Sequence, residues 1–246
     1  MRQLQIPGHV HVCRDGDFVV MLDVRRDRYW ALEATRIAPL SSIVPGWPAS
    51  AAGNCSGADV AGADAISAIE LLIDKGLLCD ESRAGKPATP VRLDLPRREL
   101  LADAAGSLAG PVSIARFLIA AATAATLLRC LPFEGVIERV KRRNHRRTER
   151  GGTDGDASHD RTDVARATQL VARFAALQPM LFSRRDACLF NSLALIEFLA
   201  PHGLHPQWVF GVQGRPFAAH CWVQDGDVLL NDTLEHVRRY TPIMVL

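Results

Sequence analysis

"DACLFNSLALIEFL" runs from Asp186 to Leu199. It reads as an apolar helix with a cysteine, Cys188, near its start. A thiol there is either structural filler or a nucleophile. The N-terminal end of a helix lowers a thiol pKa, and only the thiolate attacks. Ser183 with Asp186 three residues on has the S-x-x-D form of a capping box, and Asp186 could equally be the N-cap itself. Either reading places Cys188 in the first or second turn. Backbone N–H groups there lack intrahelical acceptors and could hold a developing oxyanion.

Working outward, "DVARATQLVARFAAL" before the cysteine is a second helix. After it come "PQWVFGV", "PFAAHCWVQ" and "DVLLND", read as strands, with "DGD" (225–227) turning the last two into a hairpin. Helices followed by an antiparallel sheet make this section, 163–246, α+β. A nucleophilic cysteine needs a base. His145 and His159 fall in a polar run, and His202 and His205 at a helix end. His220 lies mid-strand between Ala219 and Cys221, sharing a face with Trp222. Asp232 closes the next strand. A two-residue loop (Asp225, Gly226) pairs 224 with 227; a bulged three-residue loop pairs 224 with 228. Both bring a carboxylate within reach of the imidazole and could fix its tautomer. Cys221 is expected to point away from His220 and serve as packing.

The rest of the chain divides in two. In residues 1–83, "HVHVC", "DFVVMLDV" and "RYWAL" are three short strands, separated by the turns "RDGD" and "RRDR". "EATRIAPLSSI" is a short helical piece. "GADAISAIELLIDKGLL" places Ile66, Ile69, Ile73 and Leu77 at helical spacing, with Gly76 as its C-cap. Three strands and three helical pieces give a winged-helix-like unit. Its closing helix carries Glu70 and Asp74 against Lys75, which disfavours DNA. His9, His11 and Cys13 alternate like metal ligands, but no fourth ligand is in view and a polar strand face accounts for them. Residues 84–162 begin with a linker, continue as a helical region over roughly 97–140, and end in "RVKRRNHRRTERGGTDGDASHDR", expected to be a mobile basic loop. It has seven basic residues between Arg139 and Arg150.

The composition sets bounds. The chain has 246 residues, a 48% hydrophobic fraction and a net charge of +2, so it is no electrostatic glove for nucleic acid. The six cysteines have no zinc-ribbon or thioredoxin spacing, and no metal site is expected. "MRQLQIPGHVHV" lacks the apolar core of a signal peptide, which points to the cytoplasm. "FLIAAATAATLL" (117–128) is shorter than the about twenty apolar residues a membrane span needs, so it reads as a buried helix without stable membrane insertion, a membrane-associated helix being the lesser alternative.

Cys, then His, then Asp is the chain order of papain-like and transglutaminase-like thiol enzymes. The run "CLFNSLALIEFLAPHGLHPQWVFGV…AHCWVQDGDVLLND" resembles the C-terminal domain of the lasso peptide biosynthesis B proteins of the microcin-maturation type. The matching positions are Cys188, Leu189, Ser192, Leu193, Ala194, Leu195, Gly203, Gly211, Val212, His220, Trp222, Val223, Asn231 and Asp232. The family's commoner His-Ala-Trp is His-Cys-Trp here. Residues 1–83 resemble PqqD-like leader-recognition domains, which precede the protease domain in undivided members. The resemblance implies an α+β protein with a winged-helix-like PqqD-type domain followed by a papain/transglutaminase-like thiol protease domain. It implies a cysteine peptidase with Cys188 as nucleophile, His220 as base and Asp232 as orienter. It also implies leader binding along Tyr29, Trp30, Ala31 and Leu32, with Leu72 and Lys75 as the opposite wall. The implied partners are a precursor peptide and an asparagine-synthetase-like lasso cyclase. No directly bound cofactor is implied. The family's ATP dependence would reside on a partner or in an unrecognised pocket, since no Walker-type loop is present. Two rivals share these residues: an acyltransferase of the transglutaminase or arylamine N-acetyltransferase kind, and a non-enzymatic peptide-binding protein.

Overall fold

The computed structural model describes residues 3–48, 62–80, 85–100, 110–148, 157–180 and 188–246. The chain forms two compact units. The first comprises residues 1–92, 211–219 and 241–244, and the second residues 93–210, 220–240 and 245–246.

In the first unit, strand β1 (Leu4–Pro7) precedes a meander of β2 (Val10–Asp15), β3 (Phe18–Asp23) and β4 (Arg28–Glu33). Helices α1 (Leu40–Ile43) and α2 (Gly62–Asp74) follow, then β5 (Cys79–Asp80) and β6 (Gly85–Lys86). The meander pairs in the order β2-β3-β4, which leaves β4 at an edge. Its three strands are those expected from the sequence. The turns need left-handed backbone: Gly16 lies at φ 55 and Asp27 at φ 50. Strand β1 was not expected. It runs between β5 and β6 as a separate small sheet; Leu4 and Ile6 alternate inward, but four residues ending in Pro7 are too few to mark a strand from sequence.

Leu4, Ile6, Val10, Val12, Val19, Met21, Ile37, Leu40, Leu72 and Leu77 fill one core, with Trp30, Leu32 and Ile69 against it. The apolar stripe of α2 therefore differs from the expected one. Ala68, Ile69 and Leu72 face inward, while Ile66, Leu71 and Ile73 are exposed. The helix ends as expected. Gly76 takes φ 70, its N–H donates to the Ile73 carbonyl, and Leu77 N–H donates to the Leu72 carbonyl, a Schellman pair.

Asp15 ties the later segments of this unit to the meander. It accepts from Gly214 N–H at 2.6 Å and from Thr241 Oγ1 at 2.7 Å. Tyr29 packs on Phe217 at 5.6 Å between ring centroids. An Asp15→Ala change strands the Gly214 donor and is expected to cost about 1–3 kcal/mol. A fall in the urea midpoint at unchanged m-value checks it.

The second unit opens with strand β7 (Arg98–Glu99), then helices α3 (Pro111–Cys130), α4 (Phe133–Thr148), α5 (Ala157–Leu177) and α6 (Cys188–Leu199). Strands β8 (Gln207–Gln213), β9 (Ala218–Asp225) and β10 (Val228–Leu229), helix α7 (Leu234–Val237) and strand β11 (Thr241–Val245) follow in the chain, with residues 211–219 and 241–244 of these strands and their connections belonging to the first unit. The sheet order is β11-β8-β9-β10-β7. Helix α6 is apolar nearly all round and is buried accordingly, from Asn191 through Leu199 save Glu197. Phe174 of α5 lies 5.3 Å from Phe117 of α3 and 5.6 Å from Phe198 of α6.

Two expectations are corrected here. The basic run beginning at Arg139 is helical through Thr148 rather than a loop. Val136, Ile137 and Val140 anchor its first turns in the core, and Arg143 pairs with Glu197 of α6 at 2.8 Å. The apolar segment 117–128 belongs to a twenty-residue helix, α3, the one among the described residues long and apolar enough to cross a membrane. One face, Phe117, Ala120, Ala121, Ala124 and Leu127, is buried, while Val112, Ile114, Leu118 and Ile119 are exposed.

Candidate active site

Cys188 is the first residue of α6, so its backbone N–H and those that follow lie in a turn without intrahelical acceptors. The proposed caps, Ser183 and Asp186, lie outside the described residues. The rest of the site is held by β9 and the segment after β10.

The β9–β10 hairpin pairs Asp225 with Val228 and Gln224 with Leu229. Both expected registers are wrong by at least one residue. The two-residue loop is Gly226–Asp227, because the glycine takes the positive-φ first central position (φ 54) that a type II′-like turn requires. The ladder continues only to the bond from Leu230 N–H to the Val223 carbonyl, at 3.0 Å. Asn231 then leaves it, and its Oδ1 accepts from Val223 N–H at 2.8 Å. Asp232 is thereby brought to His220. The His220 Nε2 and Asp232 Oδ2 atoms share a hydrogen bond, with the two side chains only 12% and 13% exposed. That leaves the other ring nitrogen, Nδ1, for the hydrogen bond His220 makes with Cys188.

The three residues picked from the sequence as catalytic candidates are therefore brought together. Cys221 is not mere packing. Its thiol and its backbone N–H both donate to Cys188. Its Sγ also lies 3.8 Å from Ser192 Oγ, one turn along α6 from Cys188. Ser192 Oγ in turn donates to the Cys221 carbonyl at 3.2 Å and accepts from Asn231 Nδ2 at 3.1 Å. Strand alternation does separate Cys221 from His220, but α6 packs on the face that Cys221 occupies.

His236 was not anticipated. Its Nδ1 reaches Asp232 Oδ1 at 3.0 Å and Oδ2 at 3.1 Å, and its ring centroid is 4.5 Å from that of His220. Thr233, the N-cap of α7, accepts from His236 N–H at 3.3 Å, and its own N–H donates to Asp232 Oδ1 at 2.7 Å. The only sequence signal is an Asp–His pair at i, i+4. Tyr240 lines the other side, 5.1 Å from the His220 ring.

These contacts set the charges. Cys188 is lowered to about 4, chiefly by the Cys221 thiol donating to it, then against burial by His220 and the Cys221 N–H. Burial opposes charge on His220, but its bonds to Asp232 and Cys188 raise it to about 9. Burial likewise opposes charge on Asp232, yet the bonds from His220 and Thr233 N–H hold it below its ordinary value. A thiolate–imidazolium pair thus exists at neutral pH. Below about 4 the thiolate is protonated, and above about 9 the imidazolium proton is lost. A bell-shaped kcat/KM profile with limbs near those values is expected, each limb belonging to the coupled pair. Steady-state kinetics across pH checks it.

The leader-binding candidates fall on β4 and α2. Trp30 and Leu32 pack on the core, Tyr29 lies on the other face against Phe217, and Ala31 is exposed. Leu72 is buried in the core at 2% exposure, so its side chain forms no outer wall; Ile73 and Leu71 are the exposed apolar residues beside it. Lys75 is half-exposed, its Nζ 3.5 Å from Asp74. Cys13, in the metal-like sequence pattern, is a buried thiol pushed up to about 12. Among the described residues, the ligand atoms of His220, Asp232 and His236 form the one grouping close enough to share an ion, within 4.8 Å of one another. A metal there would displace the protons that join these groups.

A thiol at the start of a helix, a histidine on a following strand and an aspartate just past the next strand all lie in a stretch matched by one comparison. Residues 127–245 match the transglutaminase-like superfamily. Members of that superfamily are typically cysteine peptidases or acyltransferases. The matched stretch contains α4 to α7, the whole Cys188–His220–Asp232 site and nearly all of the sheet. Neither the curated proteins nor the solved structures yield a match to this chain.

Proposed function

We propose that this protein is a cysteine peptidase that binds the leader of a ribosomally made lasso peptide precursor and cuts it from the core peptide. The observation that carries the catalytic part is the chain of hydrogen bonds Cys188–His220–Asp232 inside the transglutaminase-like domain. Cys188 thiolate attacks the scissile carbonyl. Backbone N–H groups of the first turn of α6 receive the oxyanion. His220 imidazolium protonates the leaving amine, then as neutral imidazole takes a proton from the water that opens the acyl-enzyme. Asp232 keeps the imidazole in one orientation throughout, and His236 and Thr233 hold Asp232.

Leader binding rests on β4. Its place at the edge of the meander among the described residues suits the addition of a peptide strand, in which main-chain bonds give affinity and side-chain pockets give selectivity. The freed core peptide would pass to a cyclase that closes the macrolactam ring, and any nucleotide requirement would reside with that partner. The full chain is the right reagent for binding, because residues 211–219 and 241–244 belong to the same compact unit as the meander.

The test is mass spectrometry of a synthetic leader–core peptide, taken from a short reading frame beside the gene and incubated with the enzyme. Release of the intact core with a free amine and a leader with a free carboxylate is expected. Transfer of the leader acyl group to an added amine, with no hydrolysis, would assign the domain to acyl transfer instead. In anisotropy with a labelled leader, random duplex DNA at physiological salt is expected not to compete, since α2 exposes Glu70 and Asp74.

A further inference from the structure

Cys221 is a buried thiol that takes no part in the bond-making steps of the proposed hydrolytic cycle. It is nonetheless fixed against the attacking sulfur. Ser192 Oγ, on the same face of α6 as Cys188, contacts both the Cys221 thiol and its carbonyl, and Asn231 holds Ser192 in turn. The Cys221 thiol has one proton and two acceptors in reach. A thiolate is the stronger acceptor, so the proton is directed at Cys188. The two sulfurs are therefore neighbours, and both cysteines are free.

We propose that Cys188 and Cys221 are an oxidative modification site at which a peroxide joins the two sulfurs in a disulfide and switches the nucleophile off reversibly. As a switch it rests on the reading of Cys188 as the nucleophile. The Cys188 thiolate attacks hydrogen peroxide. An S–O bond forms, the O–O bond breaks, and the departing hydroxide takes the His220 proton as water. Cys188 is then a sulfenic acid. The Cys221 sulfur attacks that sulfur. The S–S bond forms, the S–O bond breaks, and hydroxide leaves with the Cys221 proton as a second water. Two thiols and one peroxide give one disulfide and two waters. A thiol reductant reverses the result by exchange.

Two features favour this outcome over further oxidation. Cys188 is a half-exposed thiolate lowered to about 4, the class of thiol that peroxide finds first. Cys221 already points its sulfur at the place where the sulfenic acid forms, so the condensing step needs no search. Alanine at 221, the commoner residue of the resembling family, leaves Cys188 without a resolving partner.

The experiment treats the full chain with stoichiometric hydrogen peroxide, quenches it with iodoacetamide, and maps the peptides by mass spectrometry. It needs no substrate, so its outcome is separate from that of the leader-cleavage test. The expected result is a cross-linked peptide pair carrying Cys188 and Cys221, short of two hydrogens, with both residues lost to alkylation together and recovered together by dithiothreitol. Cys221→Ala and Cys221→Ser should give no cross-link, and Cys188 should pass to the sulfinic and sulfonic acids that dithiothreitol does not reverse. If wild-type Cys188 is over-oxidised as readily as in those variants, or Cys221 stays alkylatable after denaturation while Cys188 is lost, the proposal is wrong.

Discussion

Cys188→Ala is expected to abolish leader removal while leaving precursor affinity unchanged. In the proposed mechanism the thiolate is the attacking atom, and no other nucleophile among the described residues of the site takes its place. Cys221 is fully buried, and burial, which the Cys188→Ala change leaves in place, pushes its thiol well above the ordinary value. His220 has no thiol to activate. Affinity should persist because the leader is proposed to lie along β4, in the other compact unit. Mass spectrometry reads the cleavage, and anisotropy of a labelled leader reads the binding. Cleavage near the wild-type rate would remove Cys188 from the mechanism. Binding lost along with cleavage would move leader recognition to the thiol domain.

His220→Ala should cost nearly as much. In the proposed mechanism the same ring stabilises the thiolate, protonates the leaving amine and activates water, and loss of a general acid–base group typically costs about a hundredfold to ten-thousandfold. Asp232 separates into two outcomes. Asp232→Asn keeps the size of the side chain and can still bond the ring, so measurable activity should remain. Asp232→Ala loses the bond to His220 Nε2 and frees His236 and the Thr233 N–H, so it should lose far more. The pair is charged before substrate arrives, which makes the carboxylate less decisive than in a serine enzyme. Comparing kcat/KM for the three variants on one precursor gives the order. An Asp232→Ala enzyme equal to wild type, with His220→Ala dead, would leave the orienting role to another group.

The catalytic candidates were legible because their chemistry limits the choice. One cysteine opens an apolar helix, one histidine lies mid-strand, and one aspartate ends the next strand. The meander was legible as three short β-type runs separated by turns that carry Gly16 and Asp27. What sequence reading missed depends on contacts between elements. Nothing in the alternation of β9 tells which face α6 covers, so Cys221 was read as filler. The hairpin register turned on which residue takes positive φ, and placing the loop one residue early shifted the whole ladder. Strands β1 and β11 carry Pro7 and Pro242 and are too short to declare themselves. The charged end of α4 looked like a loop because its anchoring residues, Val136, Ile137 and Val140, lie just before the basic run. Leu72 enters the leader-binding wall only through the resemblance, and the helix instead turns it inward with Ala68 and Ile69.

The most direct test of the central claim is the rate at which iodoacetamide alkylates Cys188, followed by peptide mass across pH in the absence of any substrate. A thiolate held by Cys221 and His220 should react throughout the neutral and mildly acidic range, with its inflection near 4. His220→Ala should move that inflection upward. An inflection near the ordinary thiol value of 9, or a Cys188 that is never modified in the folded protein, would contradict the account.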